Sequence, residues 1–86
     1  MSAPKVVMYA TDWCPYCARA RSLLASKGIA VEEIDIEAVE GARNEMEARS
    51  GCSSVPQIFI GEQHVGGCDE LHALELAGRL DPLLKQ

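Results

Sequence analysis

Residues 6–17 read VVMYATDWCPYC, an apolar run that leads directly into two cysteines three positions apart. The run Val6–Ala10 is continuous, which is typical of a central β-strand covered on both faces. Pro15 suits the first turn of an α-helix, and alanine and leucine residues follow it at helical spacing up to a glycine. The stretch therefore predicts a strand that ends in a Cys-x-x-Cys motif at the start of a helix running to about Lys27.

A second strand and a second helix are predicted in the middle of the chain. Ile29–Ile36 has an imperfect apolar alternation that indicates the strand. Val39, Ala42 and Met46 have the spacing of an inward helix face, and Gly51 is placed to end that helix. Because a helix joins the first two strands, we expect them to be parallel, with a right-handed crossover.

The last part of the chain predicts a hairpin and a helix. Gln57–Ile60 and His64–Val65 flank a short loop that contains glycine, which favours two antiparallel strands. Asp69 is placed to cap a final helix with leucines and Ala77 on its inner face, before one more helical turn. The predicted fold is α/β, in the order β-α-β-α-β-β-α, with a mixed four-stranded sheet and helices on both faces. Residues 1–86 are expected to form one domain.

The composition argues against several classes of function. The net charge of −5 gives no basic face for nucleic acid. No apolar run approaches the length that spans a membrane, and the five apolar residues near the amino terminus are too few for the core of a signal peptide. We therefore expect a cytoplasmic protein in a reducing compartment, where a lasting structural disulfide is not favoured.

The cysteine pair has three interpretations: a structural disulfide, half of a metal site, or two thiols that cycle during turnover. A metal site would need His64 and Cys68 as its other half, but they lie much farther away than zinc motifs place theirs. The start of a helix stabilises a thiolate, which is the reactive form of the side chain. This position favours redox chemistry, with Cys14 as an exposed attacker and Cys17 as a better shielded partner.

Two further motifs are placed to bind a peptide. SVP at 54–56 leads into the third strand, and a cis bond between Val55 and Pro56 would turn the Val55 backbone towards an extended peptide. GGCDE at 66–70 opens the last helix, where two glycines permit close approach and N–H groups can bind a carboxylate. Either motif alone is equally typical of an ordinary strand start or an ordinary capped helix.

In combination these motifs resemble one family. CPYC at 14–17, SVP at 54–56, QIFI at 57–60 and GGCDE at 66–70, in this order and spacing, resemble glutaredoxins of the bacterial dithiol type. The resemblance covers nearly the whole chain. It implies a thioredoxin-like fold and a glutathione-dependent oxidoreductase that reduces protein disulfides and glutathione–protein mixed disulfides.

The resemblance also implies roles for individual residues. Cys14 would be the nucleophile and Cys17 the resolving thiol. The Val55 backbone would pair with the cysteinyl part of glutathione, and the N–H groups of Cys68 and Asp69 would bind its γ-glutamyl carboxylate. The implied glutathione-binding residues are Tyr16, Arg43, Ser54, Val55, Pro56, Gly67, Cys68 and Asp69.

The chain departs from the family at Thr11. Many members have a lysine three residues before the nucleophile, where its charge would stabilise the thiolate and attract glutathione. Here Thr11 is followed by the acidic Asp12, so Arg43, expected beside the glycyl carboxylate, would carry more of this role. Trp13 matches the W-C-x-x-C of thioredoxins, but those proteins are longer and lack GGCDE.

The implied reaction requires no tightly bound cofactor and no metal. The expected partners are glutathione, disulfide-containing or glutathionylated proteins, and glutathione reductase with NADPH upstream, and the chain is expected to act as a monomer. Two alternatives remain, an iron–sulfur carrier that holds a cluster between two protomers and a thioredoxin-like electron donor that uses no glutathione. Cys52, His64 and His72 are interpreted as incidental surface or loop residues, with a third redox thiol as the alternative for Cys52.

Overall fold

The computed structural model describes residues 4–85, which form four strands and four helices. The strands are β1 Val6–Ala10, β2 Val31–Asp35, β3 Gln57–Ile60 and β4 Gln63–Gly66, and the helices are α1 Pro15–Ser26, α2 Ala42–Ser50, α3 Cys68–Leu76 and α4 Leu80–Leu84. The predicted order of elements is confirmed, with α4 as the additional turn. None of these helices has the length and apolar character needed to cross a bilayer.

The sheet has the strand order β2-β1-β3-β4 and is mixed, as predicted. β1 pairs in parallel with β2 and antiparallel with β3, and β3 pairs antiparallel with β4. All five residues of β1 are buried, which confirms the central strand expected from its continuous apolar run. In the parallel pair Ala10 lies opposite Asp35, so the segments that follow β1 and β2 leave the sheet side by side.

Helices cover both faces of the sheet, which confirms the predicted layers. Alternate residues of β1 point to opposite faces, because the side-chain period of a strand is two. Met8 packs in a cluster with residues of α1, α3 and α4, whereas Tyr9 packs in a second cluster with Met46 of α2. The Cys-x-x-Cys motif belongs to the first cluster, since both of its cysteines are counted among the buried residues there.

Two predicted boundaries in the middle of the chain are wrong. β2 begins at Val31 rather than Ile29, because the Ile29 N–H bonds the Leu24 carbonyl at 3.2 Å and closes the end of α1. Val39 does not belong to the inner face of α2 and is half exposed. Gly41, in the left-handed conformation with φ 81°, separates Val39 from the helix that follows.

The predicted capping and inner face of α3 also need correction. Gly67, not Asp69, is the N-cap residue, and its N–H donates to the carboxylate of Glu70 at 2.7 Å. Ala77 follows the helix and is exposed rather than inward. The Arg79 N–H donates to a main-chain carbonyl of α3 and ends that helix. Leu80 of α4, rather than Ala77, is fully buried and belongs to the core.

Candidate active site

The Cys-x-x-Cys motif lies at the carboxyl end of the central strand. Cys14 is the N-cap residue of α1, with extended backbone angles of φ −79° and ψ 122°, and its carbonyl accepts the Ala18 N–H at 3.1 Å. Pro15 occupies the first helical turn, where an N–H would have no intrahelical acceptor, so its missing donor costs nothing. The predicted placement of the motif at the start of a helix is confirmed.

Cys14 was predicted to be exposed, but the residue is only 6% accessible to solvent. Its Sγ lies 4.0 Å from the carbonyl oxygen of Val55 and makes no capping hydrogen bond to the N–H groups of α1. A thiol can donate weakly to a carbonyl, but a thiolate has no proton to donate. A Cys14 thiolate could therefore not make this contact, whereas the N–H groups at the start of a helix suit a negative charge.

Cys17 is fully buried one helical turn after Cys14. Burial raises the pKa of the Cys17 thiol to about 11, with a hydrogen bond from the Thr11 backbone opposing the shift and the neighbouring Cys14 adding to it. At neutral pH Cys17 is therefore a protonated thiol behind Cys14. Both cysteines are free in this structure.

Thr11 lies three residues before Cys14, where the resemblance implies a lysine in many members of the family. The residue is 1% exposed, and its Oγ1 has no hydrogen-bond partner among residues 4–85. The side chain therefore lies in the protein interior, where it presents no group to a ligand at the surface. What Thr11 contributes to the site is its backbone, through the interaction with Cys17.

A cavity of about 470 Å³ joins the two peptide-binding motifs, which are separate in the sequence. Cys14 does not line this cavity but adjoins it through Val55, whose carbonyl oxygen lies 4.0 Å from the Cys14 sulfur. All of the predicted glutathione-binding residues except Arg43 line it, namely Tyr16, Ser54, Val55, Pro56, Gly67, Cys68 and Asp69. Arg43 is exposed and lies next to this wall, where its Nη1 donates to the Ser53 carbonyl at 3.3 Å. The fold thus gathers the predicted residues at the carboxyl end of β1.

The start of α3 packs closely against the loop before β3. The Val55–Pro56 bond is cis, as predicted. A Cβ atom on Gly67 would lie 3.3 Å from the Pro56 carbonyl oxygen, and one on Gly66, whose φ is 116°, would lie 3.0 Å from the Glu70 side chain. The two glycines therefore permit the close approach that shapes this wall of the cavity.

Gln57 and His64 form a part of the site that the sequence interpretation missed. Gln57 is 3% exposed, and its Nε2 donates to the Ser54 carbonyl at 3.0 Å. The Nε2 of His64 lies 2.7 Å from the Gln57 Oε1, so a side chain of β4 orients one of β3. Through the hydrogen bond to the Ser54 carbonyl, the pair fixes the position of the backbone just before Val55. In the sequence, the only sign of this pair was the polar Gln57 at the start of the otherwise apolar strand QIFI.

The remaining cysteines differ in environment. Cys52 is exposed at the wall of the cavity, near the groove as expected. Burial raises the pKa of Cys68, whose Sγ lies 3.4 Å from the Nδ1 of His72. Within residues 4–85, no three His, Cys, Asp or Glu side chains are grouped in a way that could hold a metal ion.

Comparisons with known proteins agree with this geometry. A sequence model of the family described as Glutaredoxin matches residues 6–65. The chain is 56% identical over 81 residues to a glutaredoxin of Pseudomonas aeruginosa, which covers 94% of this chain and 96% of that protein. It is 54% identical over 80 residues to glutaredoxin 3 of Escherichia coli, which covers 93% of this chain and 96% of that protein.

Solved structures show the same architecture. The solution structure of a glutaredoxin from Brucella melitensis superposes with a TM-score of 0.85 at 55% identity, covering 99% of this chain and 92% of that one. A crystal structure of a buckwheat glutaredoxin–glutathione complex superposes with a TM-score of 0.87 at 28% identity, covering 95% of this chain and 76% of that one. The predicted thioredoxin-like fold is confirmed by these superpositions.

Proposed function

The chain belongs to the glutaredoxin family of thiol–disulfide oxidoreductases, and we propose that it uses glutathione to reduce protein disulfides and glutathione–protein mixed disulfides. The observation that carries this proposal is the cavity of about 470 Å³ whose walls include the start of α3 and Val55, the residue whose carbonyl oxygen lies 4.0 Å from the sulfur of Cys14. A relative of the same fold was crystallised as a glutathione complex.

The walls of the cavity offer complementary groups to a tripeptide with two carboxylates. The Gly67 N–H is already bound by Glu70, so the first-turn N–H groups of Cys68 and Asp69 remain for the γ-glutamyl carboxylate. The Val55 backbone, beside the Cys14 sulfur, suits the cysteinyl part of the tripeptide. Arg43, exposed beside this wall, is the proposed cation for the glycyl carboxylate.

The first reaction removes glutathione from a protein. The Cys14 thiolate attacks the glutathione sulfur of the mixed disulfide, and the protein sulfur leaves with the bonding electrons and takes up a proton. Cys14 is then glutathionylated. A second glutathione thiolate attacks the glutathione sulfur on Cys14, which frees the Cys14 thiolate and releases oxidised glutathione.

The second reaction reduces a disulfide within a protein. Cys14 attacks one substrate sulfur and forms a mixed disulfide, while the other substrate sulfur leaves as a thiolate. Cys17 then loses its proton, attacks Cys14 and releases the reduced substrate, which leaves a Cys14–Cys17 disulfide. Two glutathione molecules reduce that disulfide and become oxidised glutathione.

The decisive experiment measures reduction of a small glutathione mixed disulfide, coupled to glutathione reductase and followed by loss of NADPH. We expect turnover that depends on glutathione and disappears in Cys14→Ser. Absence of glutathione-dependent turnover, together with reduction of the protein by thioredoxin reductase, would contradict the proposal and favour a thioredoxin-like donor.

A further inference from the structure

An exposed indole stands next to the proposed nucleophile. Trp13 precedes Cys14 and is 69% exposed, although a side chain of this size gains most from being covered. Its Nε1 donates to the Glu37 carboxylate at 2.9 Å, so one polar contact fixes the ring at the surface. Two residues after Glu37, Val39 is also 50% exposed. Aromatic side chains in such positions are typical of protein interfaces.

This surface lies on the other side of the central strand from the glutathione cavity. In the sheet order β2-β1-β3-β4, the cavity is built from segments around β3, β4 and α3, whereas Glu37 and Val39 follow β2. Neither Trp13 nor Glu37 lines the cavity. Cys14, at the end of β1, is therefore flanked by two surfaces, and only one of them is shaped for a tripeptide.

The second surface is acidic. We call it the Trp13 face and define it by the hydrogen-bonded residues Trp13, Glu37 and Asp35 and their exposed neighbours in the sequence, Asp12, Val39 and Glu40. No lysine or arginine occurs in residues 6–18 or 28–42, the two segments that contribute to it. Arg21 interacts electrostatically with Asp12, but its guanidinium donates two hydrogen bonds of 2.7 Å to Glu33, which already balances its charge. The carboxylates of the Trp13 face therefore keep a negative excess around the indole.

We propose that the Trp13 face docks protein substrates whose disulfide is flanked by basic residues, while glutathione occupies the cavity on the opposite side of Cys14. The proposal rests on the disulfide-reducing function proposed above. The indole and Val39 would contact the substrate chain beside its cysteine, and the four carboxylates would select lysine or arginine near it. Glutathione mixed disulfides, bound from the cavity side, would not depend on this face.

Substrate trapping tests this inference without glutathione. In a Cys17→Ser background, Cys14 attacks a cyclic peptide disulfide and the mixed disulfide accumulates, so its rate of formation can be followed by mass spectrometry. Two peptides of equal length are compared, one with Lys and Arg beside the cysteines and one with Asp and Glu. We expect the basic peptide to react faster, and the difference to shrink as salt is raised.

Variants then assign the preference to the Trp13 face. Trp13→Ala should slow trapping of the basic peptide by about tenfold, the effect of losing an aromatic anchor. Glu37→Gln should reduce both the preference and its salt dependence. Leu76→Ala is the matched control, because Leu76 is 89% exposed on α3, outside both surfaces, and its loss should leave trapping unchanged.

The outcomes separate this inference from the proposed function. Equal trapping of both peptides, or equal slowing of both peptides and of a glutathione mixed disulfide by Trp13→Ala, would overturn the docking role of the Trp13 face. If the basic peptide is trapped faster than the acidic one but the wild-type protein shows no glutathione-dependent turnover, only the glutathione proposal is overturned.

Discussion

The hydroxyl oxygen of Tyr9 lies 2.7 Å from the guanidinium of Arg49, which donates a hydrogen bond to it beneath α2. Tyr9 is fully buried in the central strand, and its hydroxyl in turn donates to the carboxylate of Glu45. The Arg49 guanidinium also lies 4.2 Å from the centre of the Phe59 ring. This network connects α2 to the sheet at the edge of the smaller core.

Removal of the Tyr9 hydroxyl should therefore destabilise the fold. We expect Tyr9→Phe to lower the free energy of unfolding by about 1 kcal/mol, because a partly buried hydrogen bond is lost while Arg49 and Glu45 stay accessible to water. Tyr16→Phe is the control, since Tyr16 is 55% exposed and its variant should change stability by less than about 0.5 kcal/mol. Urea unfolding of both variants measures the difference, and equal midpoints would contradict the role of the network.

Gly66 should tolerate a side chain less well than Gly78. Both glycines have positive φ angles, 116° and 72°, but only at Gly66 would a Cβ meet another side chain, at 3.0 Å from Glu70. Gly78→Ala should cost about 1–2 kcal/mol for the left-handed backbone alone. Gly66→Ala should cost more and also raise the KM for glutathione, because it displaces Glu70 from the start of α3. Equal stability of the two variants would contradict this account.

The stability of the protein should fall at alkaline pH. Because the pKa of Cys17 is raised from 9.0 to about 11, the folded state keeps a proton that the unfolded chain loses. The contribution of Cys17 is fully present below about pH 9 and is lost as the pH rises through 11, with a size of roughly 2–3 kcal/mol. Burial also raises the pKa values of Tyr9 and Cys68, so they act in the same direction.

A difference measurement isolates the contribution of Cys17. The free energy of unfolding of Cys17→Ala is subtracted from that of the wild-type protein at each pH, which cancels the contributions of Tyr9 and Cys68. We expect the difference to decrease between pH 9 and 11. The same subtraction for Leu24→Ala, a buried position of α1 that does not titrate, should be independent of pH. A pH-independent difference for Cys17→Ala would show that its thiolate is not disfavoured by the fold.

Local sequence signals were sufficient where one segment determines its own structure. The continuous run Val6–Ala10 predicted a doubly covered strand, and Pro15 after Cys14 predicted the start of α1. Periodicity failed where backbone conformation overrode it. Val39 continues the helical spacing of Ala42, but the left-handed Gly41 between them begins a new element.

Contacts between distant segments were not predictable from local patterns. The 6% exposure of Cys14 depends on the Val55 loop, 41 residues later. The hydrogen bond from Trp13 to Glu37 requires β2 to lie beside β1 in one register. Burial and hydrogen bonding of this kind follow from packing, which a single sequence shows only when a known family supplies the fold.

The different environments of the two motif cysteines should separate the two proposed reactions. Cys17→Ser removes the buried thiol that resolves a mixed disulfide, but leaves Cys14 at the start of α1. We therefore expect this variant to retain turnover of a glutathione mixed disulfide within a few-fold and to lose glutathione-dependent reduction of a protein disulfide. Cys14→Ser should lose both, because no other thiol is placed at the N-cap of α1. Equal loss of both activities in Cys17→Ser would show that the second thiol is needed for every turnover, and the assignment of Cys14 as the sole attacking group would then be wrong.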